Sequence, residues 1–233
     1  MRLLLVRHGQ TSNNVAGALD TAFPGAGLTE LGHAQARAVP KALREERIAG
    51  IHVSHLIRTH ETASPLAATL GIPLQITEGL EEIAAGDFEM RRDKEAVDAY
   101  QDNQSRWAGK ALGHALPGGE DGRRFWARYA GALRQIAGYY TDDATVAVFS
   151  HGAAIRVFSI LATGLAPATR YERPLFNTGM VTLTGHPEQG WQLEDWASEP
   201  VGGAHLLGDT SHDVTADSTA DAAEPAEAAD PVV

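Results

Sequence analysis

Arg2-Leu3-Leu4-Leu5-Val6-Arg7-His8-Gly9 and, far along the chain, Thr145-Val146-Ala147-Val148-Phe149-Ser150-His151-Gly152 share one form: a short apolar run that ends in His-Gly. Continuous apolar runs of this length suit strands buried on both faces, as in a parallel sheet. Ligands of such sheets sit in the crevice at the carboxyl ends of the strands. Two histidines delivered there by neighbouring strands face one pocket, and the Gly after each lets backbone approach a ligand closely. His151 also opens a helix read over His151 to Leu161, whose unpaired N–H groups and positive end attract an anion. One His-Gly pair by itself is more often a packed or surface imidazole. Two pairs at equivalent strand ends point to a site.

The alternation continues between these two runs. Gly50-Ile51-His52-Val53 reads as a second strand and Pro73-Leu74-Gln75-Ile76 as a third, with Met180 to Leu183 and Trp191 to Leu193 as further strands. Thr29 caps a predicted helix from Glu30, in which Leu31, Ala34, Ala38 and Ala42 are spaced for one buried face and Pro40 is expected to kink or split it. A second helix is read from about Leu56 to Leu70. Strands alternating with helices predict an α/β protein, a three-layer α/β/α sandwich around a mainly parallel sheet. The polar stretch from about Asp87 to Gly122 breaks that rhythm and is read as an inserted helical cap over the sheet's edge. The domain is expected to span residues 1–208.

Charge sharpens the boundary. The 233 residues carry a formal net charge of -11, yet seven of the 30 acids fall after Gly208, where no Lys or Arg occurs. The body is therefore close to neutral. Residues 209–233 lack large apolar side chains other than Val and are expected to be an acidic, disordered tail dispensable for turnover. Zero Cys excludes a disulfide scaffold and thiolate metal sites. No run approaches the roughly 18–20 apolar residues that span a bilayer, and Arg7 interrupts the first apolar run before it resembles a secretory signal. The expectation is a cytoplasmic protein with neither nucleic acid nor membrane as partner.

Groups suited to an anion gather around the two histidines. Arg7, Gln10, Thr11 and Asn14 lie at or after the first strand, and Arg58 lies in the first turn of the helix that comes after Ser54. Arginine suits a phosphoryl group because its planar fork donates two hydrogen bonds at once. His52, His55 and His60 lack a carboxylate arrangement suited to metal binding, so no metal is expected there.

These residues resemble the histidine phosphatase superfamily in its phosphoglycerate mutase-like branch. The resemblance rests on Arg7-His8-Gly9-Gln10-Thr11, Asn14, Leu28-Thr29-Glu30-Leu31-Gly32 with Gln35-Ala36, and Ser54 to Ala63. It continues through Leu80-Glu81-Glu82-Ile83, Gly86, Phe88-Glu89, Pro117-Gly118-Gly119-Glu120, Ser150-His151-Gly152, Ile155-Arg156 and Asn177. The order is the family's own over about residues 1–185, and the ordered set is far more specific than any one motif. Met90 stands where the family often has Gly.

The resemblance implies that His8 is the nucleophile that becomes phosphohistidine. It implies that Arg7, Arg58 and His151 bind phosphoryl oxygens together with Gln10, Thr11, Asn14 and Gly152. Glu82 is implied as the acid that protonates the departing alkoxide, with Glu81 and Glu89 close in sequence. It implies no cofactor, a small phosphorylated metabolite as substrate, and a homodimer through an exposed sheet edge. Arg91, Arg92 and Lys94 either reach an anionic leaving group or form a solvated helix face. Phosphomonoester hydrolysis is the preferred reading. A phosphoglycerate mutase is the second reading, and a non-catalytic phospho-ligand binder the third.

Overall fold

The computed structural model describes residues 1–209 together with Asp213 and Val214. Its centre is a six-stranded sheet: β1 (Arg2–Arg7), β2 (Ile48–Val53), β3 (Leu74–Ile76), β4 (Thr145–Ser150), β5 (Met180–His186) and β6 (Gly190–Ala197), in the order β3-β2-β4-β1-β5-β6. β1 pairs with β4, β4 with β2 and β2 with β3 in parallel, while β5 and β6 close one side antiparallel. The two strands that end in His-Gly are therefore immediate neighbours, with Arg7 level with Ser150.

Helices cover both faces. α2 (Glu30–Ala42) and α3 (Ile57–Leu70) pack on one, and α4 (Lys94–Ala108), α5 (Gly122–Ala137) and α6 (Gly152–Thr163) on the other; α1 (Ser12–Ala16) and α7 (Thr169–Glu172) are short. Alternation along β1 divides its side chains between the two layers. Leu3 and Leu5 join the core with Val146, Val148, Phe125 and Phe158, while Leu4 and Val6 meet Val39, Ile51, Leu66 and Phe149. All four β1 residues are fully buried, each worth about 1.5–3 kcal/mol relative to exposure.

α2 begins where Thr29 accepts a hydrogen bond from the Gly32 N–H at 3.0 Å. It departs from expectation twice: its buried residues are Gly32, Gln35, Ala36 and Val39 rather than Leu31, Ala34, Ala38 and Ala42, and Pro40 lies inside the helix without splitting it. Only Lys41 and Ala42 come after it, so the missing N–H removes a bond in a turn that is ending anyway.

The stretch read as a cap holds a short 3-10 turn at Gly86–Phe88 and then α4, which Asp93 caps. Tyr100 and Trp107 of α4 are fully buried in the same core as Leu3 and Leu5. Met90 has φ of 62°, the left-handed region that explains a preference for Gly there, and Cβ crowding in that region costs about 1–2 kcal/mol.

Among the described residues no helix is long and apolar enough to cross a membrane. Most of the expected disordered tail, 209–233, lies outside the described residues. Asp213 departs from that expectation, being buried against Arg7.

Candidate active site

The end of β1 is fixed by backbone. The His8 N–H donates to the Ser150 carbonyl at 3.0 Å, while the His8 carbonyl accepts from the Thr178 N–H at 3.2 Å and Asn177 Nδ2 at 3.1 Å. The His8 and His151 rings thereby stand with centroids 5.3 Å apart. Arg7, His8, Arg58, Glu82 and His151 are all buried, with Arg58 against His151 and Glu82 against the first turn of α6.

His8 Nδ1 lies 2.8 Å from the Gly9 carbonyl. A carbonyl only accepts, so Nδ1 carries the proton and Nε2 keeps its lone pair. His151 has the opposite arrangement. Arg58 Nε donates to His151 Nδ1 at 3.3 Å, which places the proton on Nε2, from where it is donated to Ser54 Oγ at 2.8 Å. Burial first, then the nearby Arg58 and Arg7 charges, hold the pKa of His8 well below 6.5. Burial and Arg58 do the same for His151. Both imidazoles are neutral at pH 7.

The two arginines are held differently. Arg58 Nη2 donates to the Asp20 carbonyl at 3.0 Å, and Nη1 lies 3.6 Å from Asp20 Oδ2. That Nη1 is buried without a hydrogen-bond partner among the described residues. Arg7 Nη1 donates to the Leu175 carbonyl at 2.8 Å and Nη2 to Asp213 Oδ1 at 2.7 Å. No motif pointed to Asp20 or Asp213, because each reaches its arginine across a sequence separation that only the fold closes.

Of three neighbouring glutamates, Glu82 is the one bound to the start of α6. Glu81 is bound to His55 at 2.7 Å, and Glu89 accepts from the Thr21 and Ala22 N–H groups, holding that loop. Glu82 Oε1 accepts from the N–H groups of Ile83 and Ala154, and Oε2 from that of Ala153. Ala153 and Ala154 lie in the first turn of α6, for which His151 supplies no side-chain cap. Glu82 performs that capping, and Oε2, with one donor against two on Oε1, keeps room for a proton.

Gln10, Thr11 and Asn14 shape the loop after His8. Gln10 Oε1 accepts from Thr29 Oγ1 at 2.8 Å. Thr11 and Asn14 form a capping box at the start of α1, and Asn14 Oδ1 also accepts from Asn177 Nδ2 at 3.2 Å. Gly152 opens α6. His52 bonds to Thr77 and Tyr140, and His60 to the Ser54 carbonyl. A cleft of ≈ 390 Å³ opens beside Glu82, bordered by Phe23, His55, Gly119, Arg124 and Arg128. Phe23 stands over the rim with its ring 5.3 Å from that of His55.

A family model described as histidine phosphatase superfamily (branch 1) matches residues 3–199. A PE-PGRS family protein of Mycobacterium tuberculosis is 37% identical over 86% of this chain, and the match spans only 37% of that relative's length. A probable phosphoglycerate mutase of Erwinia tasmaniensis is 28% identical over 91% of this chain and 98% of its own. The solved structure of a mycobacterial glucosyl-3-phosphoglycerate phosphatase with VO3 superimposes with a TM-score of 0.71 at 26% identity, covering 85% of this chain and 99% of the other.

Proposed function

The chain belongs to the histidine phosphatase superfamily, branch 1, and on that premise we propose that it is a phosphomonoester hydrolase acting on a small phosphorylated metabolite through a phosphohistidine. One observation carries the reading: a neutral His8 with Nε2 available, beside the buried cations Arg7 and Arg58. A phosphoryl group in transfer spreads negative charge over its equatorial oxygens, so preorganised cations and N–H donors supply most of the catalysis. In this reading His8 Nε2 attacks phosphorus as the ester P–O bond breaks, and Glu82 gives its proton to the departing alkoxide. Water then attacks the phosphohistidine, Glu82 takes the water's proton, and His8 recovers its lone pair.

Arg7 and Arg58 neutralise the equatorial oxygens, with Arg58 Nη1 a donor that has no hydrogen-bond partner among the described residues and lies 3.6 Å from Asp20 Oδ2. His151 shares its Nε2–H between Ser54 Oγ and a phosphoryl oxygen, the Gly152 N–H at the start of α6 adds a second neutral donor, and Gln10, Thr11 and Asn14 line the approach. The leaving group extends toward the cleft beside Glu82. No metal or cofactor enters this scheme.

Mutase activity is the competing reading, because one relative carries that name. Gripping a second anionic group needs available cations. Here Arg91 is bound to Asp93 and Glu95, and Lys94 to Asp98, whereas Arg92, and Arg124 at the cleft, form no ion pair among the described residues, so cation availability does not separate the two readings and an activity assay does. The domain limits (1–208, with a cap over about 87–122), a cytoplasmic setting and a homodimer through a free sheet edge belong to the same proposal. Phosphate release from a panel of phosphomonoesters, run beside conversion of 3- to 2-phosphoglycerate, tests the function. Hydrolysis of several esters is expected, and efficient conversion without phosphate release would overturn it. Size-exclusion mass measurement tests the dimer.

A further inference from the structure

Arg7 is not presented to the pocket as an open charge. Its Nη2 donates to Asp213 Oδ1 at 2.7 Å, with side-chain exposures of 0% and 4%. The carboxylate arrives on chain that lies beyond the last strand and runs along the rim of the site. Gln35 Nε2 donates to the Leu206 carbonyl, and a Cβ on Gly208 would stand 2.9 Å from Gln10 Nε2. Val214, next to Asp213, packs against the main apolar core and anchors the segment.

The charges around His8 make this contact consequential. With both histidines neutral and Glu82 carrying the proton it gives to the leaving group, the two guanidiniums already face two carboxylates, Asp20 and Asp213. A phosphoryl dianion entering that set finds both cations already neutralised, at short range and in low dielectric. Two of the three acids are built into the walls. Asp20 is fastened by Asn13 Nδ2 and the Ala26 N–H, and Glu82 by three backbone N–H groups. Asp213 is the one that comes from beyond the last strand, β6.

We propose that Asp213 is an internal counter-ion of Arg7 that an incoming phosphoryl group displaces, so that the C-terminal segment sets the enzyme's affinity for phosphate. The inference rests on the proposed role of Arg7 as a phosphoryl ligand. It predicts competition, whereas a carboxylate that merely orients Arg7 would predict the reverse sign.

The test uses the full chain with p-nitrophenyl phosphate as substrate and inorganic phosphate as inhibitor. Asp213→Asn should lower the phosphate Ki roughly tenfold, about one charge-assisted hydrogen bond, with KM falling in parallel and the effect carried by KM rather than kcat. Asp213→Glu, which restores the carboxylate, should return Ki to within about threefold of the native value, well under one such bond. An unchanged or raised Ki in Asp213→Asn overturns the proposal. Burying Arg7 without its partner is costly and the Asn variant can fail to fold, so a second measurement uses the native chain. Orthovanadate should speed hydrogen exchange at the amides of Asp213 and Val214; slowed or unchanged exchange there overturns the proposal. Arg7→Ala separates the two levels: if it leaves the phosphate Ki unchanged, Arg7 is not a phosphoryl ligand and the underlying reading fails.

Discussion

His8 and His151 occupy equivalent places at the ends of adjacent parallel strands, yet their surroundings give them different chemistry. Among the described residues His8 commits only Nδ1, to the Gly9 carbonyl, whereas His151 has both ring nitrogens engaged, by Arg58 and Ser54. One imidazole keeps a lone pair; the other is locked as a donor. The difference lies in the element that succeeds each strand. After β1 comes a loop, and its first carbonyl turns back onto the ring. After β4 comes a helix, and α3 brings Arg58 against the ring of its N-cap residue, His151. Burial and cationic neighbours keep both rings neutral, so hydrogen-bond partners rather than charge state separate a nucleophile from a fixed donor.

The comparison can be broken by substitution. His8→Ala should cost at least about ten-thousandfold in kcat, because the nucleophile is lost outright; steady-state phosphate release measures it. His151→Ala removes a preorganised donor and should cost about a hundredfold to a thousandfold. If the two losses match, the division of roles between the rings is wrong. Ser54→Ala should free His151 Nε2 and let the ring turn, at a cost of about tenfold, the worth of one buried hydrogen bond. A loss as large as that of His151→Ala would mean that Ser54 itself touches substrate.

The smallest expected effect concerns stability against pH. A histidine held neutral in the fold has a folded pKa below its unfolded value of about 6.5. Its contribution is therefore complete above that value and is lost as pH falls. His8 and His151 act in this sense, and burial pushes His52 down to about 4. The melting temperature should decline from about pH 6.5 toward 4. His8→Gln and His151→Gln should each flatten that slope to a similar extent, since the rings differ in hydrogen bonds and not in neutrality. Unequal flattening would show that one ring is charged in the native protein.

The range of each interaction decides how legible it is in the chain. β1 and β4, with His8 and His151 at their ends, are local patterns of burial and punctuation, and parallel pairing brings them together. Thr29 as a cap and Arg58 in the first turn of α3 are equally local. Pro40 misleads because the damage a proline does depends on which turn it occupies, and the sequence does not mark where that helix ends. The capping of α6 by Glu82, and the grip of Asp20 on Arg58, depend on segments meeting across the fold and leave no periodic trace. Asp213 shows this most clearly. By composition it belongs to a solvated acidic tail, and only the buried guanidinium of Arg7 gives that one carboxylate a place.

The claim that His8 and His151 have different fates has one direct test. The full chain is mixed with a phosphomonoester, quenched in milliseconds under alkaline conditions that preserve phosphohistidine, digested and mapped by mass spectrometry. The account predicts a phosphoryl group on Nε2 of His8, absent from His151 and absent in His8→Ala. A phosphoryl group on His151, or turnover with no adduct on His8, would contradict it.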